Sequence, residues 1–176
     1  MLEQPWFQLR PDEDLVCPVR PAGIPWREYP PMMTGRDFAR LQDRVGCYEG
    51  KRGLEFCDFL FAPTFMVGKK MIALFRSLAP AVETKSLTLL PAAPRGKSLT
   101  YWIPYLPSAD CLEIRGDAYR IHPECLQGRQ VARYEGKHVV YWFFSLAAAE
   151  QILARGPMGV HFVKVSSAKE AEVCGA

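Results

Sequence analysis

Two stretches of this chain share one layout. In the first, an apolar run at 65–67 is followed by Gly68, an amphipathic segment over 69–79 and an apolar run at 86–90. In the second, an apolar run at 142–144 is followed by Ser145, an amphipathic segment over 146–155 and an apolar run at 160–165. Met71, Leu74, Phe75 and Leu78 fall on one helical face, with Lys69, Lys70, Arg76 and Ser77 turned away, and Pro80 stops the helix. In the second copy Leu146, Ala149, Ile152 and Leu153 form the face, Ser145 supplies an N-cap and Gly156 an end. The closing strand spans 158–165 and gives Val160, Phe162 and Lys164 a common parity. Helices that alternate with strands bury their stripes on a sheet, so the pattern predicts an α+β fold. A mixed or antiparallel sheet with two to three short helices is expected. The repeated layout fits two related β-α-β modules or the ordinary assembly of α+β proteins. With little residue identity between the copies, the sequence does not choose.

The remaining segments fill in this frame. Residues 130–134 and 138–144 form a hairpin around 135–137, 118–122 is a short strand, 99–106 an aromatic strand, and 54–67 is strand-like with Pro63 interrupting it. Residues 49–53 and 91–96 read as loops. Thr34 looks like an N-cap with Asp37 near the positive helix end; Phe38, Leu41 and Val45 then give one apolar face to a helix over 35–45 that Gly46 ends. Before it, residues 1–33 carry seven prolines, at 5, 11, 18, 21, 25, 30 and 31. Proline removes a ladder donor and breaks helices, so regular structure is not expected there. Trp6, Phe7, Trp26 and Tyr29 interleave with the prolines, whereas disordered linkers are poor in aromatics. The segment therefore reads as an irregular strap whose aromatics pack on the core. With no repeated P-x-x-P register, that reading is preferred to a proline-rich docking ligand. At 176 residues one domain is expected: strap and first helix over 1–56, α+β core over 57–165, and a mobile polar tail over 166–176.

Charge and composition set limits on partners. The 22 basic and 19 acidic residues leave +3, and the paired cations Lys51–Arg52 and Lys69–Lys70 are not extended into a stripe. Phosphate binding needs such a stripe, so no nucleic-acid partner is expected. The first residues have neither the basic nor the apolar region of a secretory signal. The longest nearly apolar run, 139–149, is about half the ~20 residues of a membrane-spanning helix. No membrane association is expected, and the cytoplasm is the expected location. Cysteines at 17, 47, 57, 111, 125 and 174 form no C-x-x-C pair and are expected as free thiols. Cys57 and Cys111 sit in apolar, strand-like surroundings that suit buried small residues, while Cys174 belongs to the tail.

Several motifs approach a chemical site without completing one. Residues 95–98, Arg-Gly-Lys-Ser, echo a phosphate loop, but Pro91 stands where the first glycine is needed and a strand follows instead of a helix. His122 and Cys125 form one close ligand pair, and a structural zinc site needs two. No cysteine opens a helix or follows a glycine-rich elbow, so none is marked as a nucleophile, and His138 and His161 read as strand-face residues. Asp12, Glu13 and Asp14 read as a solvated run. No catalytic residue, cofactor or metal is expected, which points to a binding protein. The aromatic strands carry the remaining signal, since alternation turns one set of side chains to each face. Tyr and Trp are enriched where partners meet, so Tyr101, Trp102, Tyr105, Tyr141 and Trp142 are the partner-binding candidates, with Phe143 and Phe144 beside them. The other reading of these residues is that helices cover both faces of the sheet.

The stretch 128–165 resembles the C-terminal part of a family of bacterial immunity proteins from polymorphic-toxin systems. Gly128, Val131, Arg133, the run 139–144, Ser145, Ile152, Leu153, Gly159, Phe162 and Val165 carry the likeness. Upstream, Asp58, 65–67, the helix to Leu78 and the strand to Leu90 are similar to the family's middle. The likeness spans about 57–165 and departs at Ala132, where the family has Phe, and at Gly68, where it has Ser. It implies a non-catalytic cytoplasmic antidote that binds a cognate protein toxin. The alternative class is a small enzyme or ligand-binding domain whose site assembles only in three dimensions.

Overall fold

A computed structural model describes residues 4–15, 18–49, 54–92, 96–115, 118–137 and 139–166. The expectations for Cys17, Arg95, His138, Cys174, most of the 49–53 loop and the tail from 167 onward fall outside the described residues. The fold is α+β. Strands β1 (Trp6–Pro11), β2 (Arg44–Tyr48), β3 (Phe59–Leu60), β4 (Met66–Gly68), β5 (Glu83–Pro91) and β6 (Leu99–Tyr105) precede β7 (Leu112–Arg115), β8 (Ala118–Ile121), β9 (Val131–Glu135), β10 (Val140–Ser145) and β11 (Val160–Val165). The helices are α1 (Gly35–Arg40), α2 (Lys69–Leu78) and α3 (Leu146–Leu153). Among the described residues no helix is long and apolar enough to cross a membrane.

The strands form a five-stranded mixed sheet in the order β2-β5-β6-β4-β3, a four-stranded antiparallel sheet in the order β11-β1-β10-β9, and a β7-β8 hairpin. The two larger sheets contain the same unit. The runs β3-β4-β6-β5 and β9-β10-β1-β11 match in order, and every neighbouring pair in both is antiparallel. In each, a helix leaves the second strand and leads to the fourth. The register agrees: Gly68 pairs with Tyr101 and Val67 with Trp102, while Ser145 pairs with Trp6 and Phe144 with Phe7. Counted from the caps Gly68 and Ser145, the buried Ala148, Ala149 and Ile152 of α3 occupy the positions of the buried Met71, Ile72 and Phe75 of α2. The two β-α-β layouts are thus one structural module present twice. Its third strand is β6 in the first copy and the N-terminal β1 in the second.

Three clusters hold the modules together. The helix-bearing faces share one core, in which Phe65, Phe75, Met71 and Val67 meet Trp142, Phe144, Ala148 and Ile152. Each buried Val, Ile, Met or Phe side chain here stabilises by about 1.5–3 kcal/mol relative to exposure. The outer face of the first module, with Leu60, Met66, Leu87 and Tyr101, is covered by Val19, Ile24, Tyr29, Met33, Phe38 and Leu41. The outer face of the second, with Trp6, Ala132, Phe143 and Val165, is covered by Ala109, Cys111, Leu112, Ile121 and Leu126.

Helix α2, the β9-β10 hairpin and the Ser145 cap stand where periodicity puts them; Ser145 Oγ accepts the Ala148 amide at 3.3 Å. Other expectations need correction. The segment 1–33 is not wholly irregular: Pro5 and Pro11 flank or end β1 and leave five residues between them whose donors serve both neighbouring strands. The first helix stops at Arg40 instead of running to 45, because Leu41 turns extended and the chain enters β2, parallel to β5. Val45 is consequently not on a helix face but 64% exposed on a strand. Gly46 ends no helix. It admits the strap, since a Cβ there would lie 2.7 Å from Ile24 Cγ2 and 3.0 Å from the Ala22 carbonyl. Leu153 is 52% exposed, because α3 buries only the narrower stripe of Ala148, Ala149 and Ile152. On β11, Val160 and Phe162 pack on the shared core while Lys164 is exposed.

Candidate functional site

Strand pairing in the second module ends early, and a cleft opens where it ends. β1 pairs with β11 along all six residues but with β10 only from Trp6↔Ser145 to Gln8↔Phe143. Beyond that point the stretch from Leu9 to Pro11 on β1 and the stretch from Trp142 back to Val140 on β10 separate. The same happens in the first module, where β4 meets β6 at only two positions, Val67↔Trp102 and Gly68↔Tyr101. The two openings face each other across the module junction and merge into one cleft of about 360 Å³. Equivalent positions from both copies line it: Phe61, Thr64, Phe65 and Pro104 from the first, Arg133, Tyr141, Trp142 and Leu9 from the second. Gln8, Arg10, Pro11, Pro31, Met33 and Val140 complete the wall.

The apolar floor is aromatic. Phe65 stands 4.9 Å from Trp142 and 5.3 Å from Phe61, centroid to centroid. The indole Nε1 of Trp142 is buried without a hydrogen-bond partner. The charged lining is cationic. Arg133 is 2% exposed and donates to the carbonyls of Leu106 (3.3 Å) and Met33 and to the Glu135 carboxylate (2.8 Å). Its guanidinium also lies 5.0 Å over the Tyr105 ring. Such a guanidinium needs partners on every side to be buried, and these fix the strap at Met33 to the second module. Arg10 donates Nε–H to Gln8 Oε1 at 2.8 Å, which orients it at the rim. Among the described residues that line the cleft there is no His, Cys, Lys or carboxylate, and the polar groups it presents are hydroxyl, amide and guanidinium.

The five aromatic candidates separate. Tyr101 and Trp142 are both buried, Tyr101 beneath the strap and Trp142 in the shared core, where it also forms part of the cleft floor. Tyr101 donates its hydroxyl to the Cys57 carbonyl at 2.9 Å, and burial raises its pKa. Trp102 and Tyr105 are half-buried: Trp102 packs on the shared core, and Tyr105 stacks on Phe38 at 5.0 Å and 17°. Tyr141, half-buried and stacked on Tyr134 at 6.4 Å, reaches the cleft. Alternation along the strands identified two faces but could not say which would be covered. Arg10 and Gln8 were missed altogether, because they sit in the segment whose prolines obscured β1. Arg133 had a weak signal, an arginine inside the apolar-patterned strand 131–134.

The remaining motifs keep apart. Cys57 and Cys111 are buried free thiols, as expected, and burial first, then nearby acidic or thiol groups, pushes each up to about 11. Cys47 and Cys125 are also free. His122 lies 3.2 Å from Glu124 and 3.9 Å from Glu113. Among the described residues no group of three His, Cys, Asp or Glu side chains could hold a metal. Gly96 and Lys97 run as coil into β6, with Tyr48 donating to the Lys97 carbonyl at 2.7 Å. Asp12, Glu13 and Asp14 border a shallow depression with Arg10 and His161. Comparison with protein-family models and with curated protein sequences finds no match for the chain.

Proposed function

We propose that this chain is an immunity-type antidote that acts in the cytoplasm and neutralises a cognate protein toxin by binding it, turning nothing over. The observation that carries the reading is the cleft at the module junction. Its walls combine Arg10, Arg133, Tyr141 and a Phe61–Phe65–Trp142 floor, with no His, Cys, Lys or carboxylate among the described residues that line it. Aromatic and arginine side chains dominate the energetics of protein interfaces. The resemblance over 57–165 supports the same class: that stretch supplies Arg133 and the Phe61–Phe65–Trp142 floor, while Arg10 and the rest of the β1 wall lie outside it. The enzyme or ligand-site alternative gains most from a deep pocket lined by His and Cys, and this lining has neither.

An antidote must outcompete toxin action, which asks for nanomolar affinity or better, about −12 kcal/mol. The test is co-expression with the product of the adjacent gene, reading growth and co-purification together. Rescue of growth with a stoichiometric complex is expected. A toxic neighbour that this protein neither restrains nor binds would sink the proposal.

A further inference from the structure

The cleft has a property beyond its lining: it is bounded by two strand edges that have stopped pairing with each other. Hydrogen bonds at the flanks show which way the backbone groups point. The Asp12 amide donates to the Gly159 carbonyl at 3.1 Å, so residues 12, 10, 8 and 6 face β11, and Leu9 and Pro11 face β10. On the other wall, the Gly136 amide donates to Val139 and the Ser145 amide to Gln130, each at 2.9 Å. Residues 139, 141, 143 and 145 therefore face β9, and Val140 and Trp142 face β1. The pair Gln8↔Phe143, whose own groups point outward, is closed by the Leu9 amide on the Trp142 carbonyl; past it the Trp142 amide, the Leu9 and Pro11 carbonyls and the Val140 groups lie beyond the β1–β10 ladder. Pro11 brings a carbonyl and no N–H, so the β1 wall is rich in acceptors, while Val140 and Trp142 supply amides from the other.

Charge narrows what can enter. Among the described lining residues the cations are Arg10 and Arg133, and there is no carboxylate. Arg133 contributes its field from a buried position, with Glu135 beside it. Arg10 is at the rim and also borders the depression that holds Asp12, Glu13 and Asp14, so an incoming carboxylate competes with that run.

We infer that the cleft is a strand-addition slot, in which Val140 and Trp142 pair with a short extended segment of a protein partner that carries an acidic side chain for Arg10. Main-chain pairing supplies affinity in this mode and side-chain pockets supply selectivity. Here the pocket floor of Phe61, Phe65 and Trp142 suits an apolar neighbour of the acidic residue. The inference rests on the antidote reading for the identity of the partner, since the segment would belong to the toxin. The chemistry of the slot can be judged without that partner.

The experiment uses the full chain, isotope-labelled, titrated with a capped hexapeptide of alternating valine and glutamate and followed by amide chemical shifts. Matched peptides carry lysine for glutamate, or N-methylated valines that keep the charge and lose main-chain donors. The glutamate peptide should give saturable shifts at Leu9, Val140 and Trp142, with dissociation constants of about 0.1–1 mM for so short a probe. The lysine and N-methylated peptides should bind at least about tenfold more weakly. Arg10→Glu should weaken the glutamate peptide by about tenfold or more. Val140→Pro should remove binding while leaving the β9-β10 ladder, because the Val140 amide faces away from β9. No binding, shifts elsewhere, equal binding of the glutamate and lysine peptides, or undiminished binding by a folded Val140→Pro protein overturns the inference. A failed titration with successful growth rescue would place the toxin elsewhere on the surface. A successful titration without rescue would leave a peptide slot and remove the antidote.

Discussion

Phe65 and Trp142 stand three residues before the helix caps of the two modules and meet each other at the junction, rings 4.9 Å apart and inclined at 35°. Phe75 closes on both, at 6.2 and 5.6 Å. The module interface is therefore built by one position contacting its own counterpart. A pair of this kind is coupled by more than shared burial.

Replacing either ring by leucine should cost about 1–3 kcal/mol, and the double replacement should deviate from additivity by about 1 kcal/mol. Urea midpoints of the four proteins measure this. Strict additivity would show that the rings pack without communicating.

Arg133→Ala should destabilise by about 3 kcal/mol, since it strips two buried carbonyls of a donor and leaves Glu135 without its cation. Arg133→Lys should recover only part of the loss, because one ammonium cannot span the Leu106 and Met33 carbonyls and the Tyr105 face together. The measurement is again the urea midpoint. Equal stability of the lysine variant and the parent would remove the guanidinium from this account.

The buried thiols give a pH dependence of defined sign. Cys57 and Cys111 are each raised to about 11, chiefly by burial, so the unfolded chain loses these protons first. The stabilisation is whole below the ordinary thiol value of 9 and is lost as pH climbs through about 11, by roughly 2–3 kcal/mol per thiol. Stability measured from pH 8 to 11 should fall, and Cys57→Ala and Cys111→Ala should each flatten the fall. In the native protein at pH 8, a thiol reagent should label Cys125 before either buried cysteine.

Local patterns made α2, α3 and the β9-β10 hairpin legible, because each buries one continuous stripe that the chain writes within a dozen residues. Strand β1 was hidden for the opposite reason: its partners lie near the other end of the chain, and the nearby prolines are the louder signal. Helix α1 was read too long because Phe38, Leu41 and Val45 keep helical spacing by coincidence, while the parallel pairing with β5 claims Val45 for a strand. The cleft was unreadable in principle. It consists of places where ladders stop, and nothing in residue type marks the end of a ladder between strands so distant in sequence.

The module equivalence predicts a rearranged chain that folds. Val165 lies opposite Trp6, as Leu89 lies opposite Leu99 across the connection in the first module. Moving residues 1–11 to follow residue 166 through a short turn should therefore give a cooperatively folding protein with β1 in its native slot. Simply deleting residues 1–11 should abolish cooperative unfolding, since the strand lies between β10 and β11. Circular dichroism melts of the two proteins decide it; a stable deletion would show that β1 is dispensable.

The central position of β1 also sets an order of events during synthesis. Its residues are made before β10 and β11, the strands it joins, and before every element that lies between them. With more than a hundred residues between β1 and β10, synthesis at roughly 5–20 residues per second leaves Trp6 and Phe7 waiting several seconds for their partners. The first module needs no such delay, because β3 to β6 pair only with strands from within a contiguous stretch and with β2 just ahead of it. Translation therefore passes through a half-finished molecule whose second sheet closes only once β10 and β11 have been made, so an interruption before them leaves the apolar side chains of β1 without a sheet and not a smaller working protein.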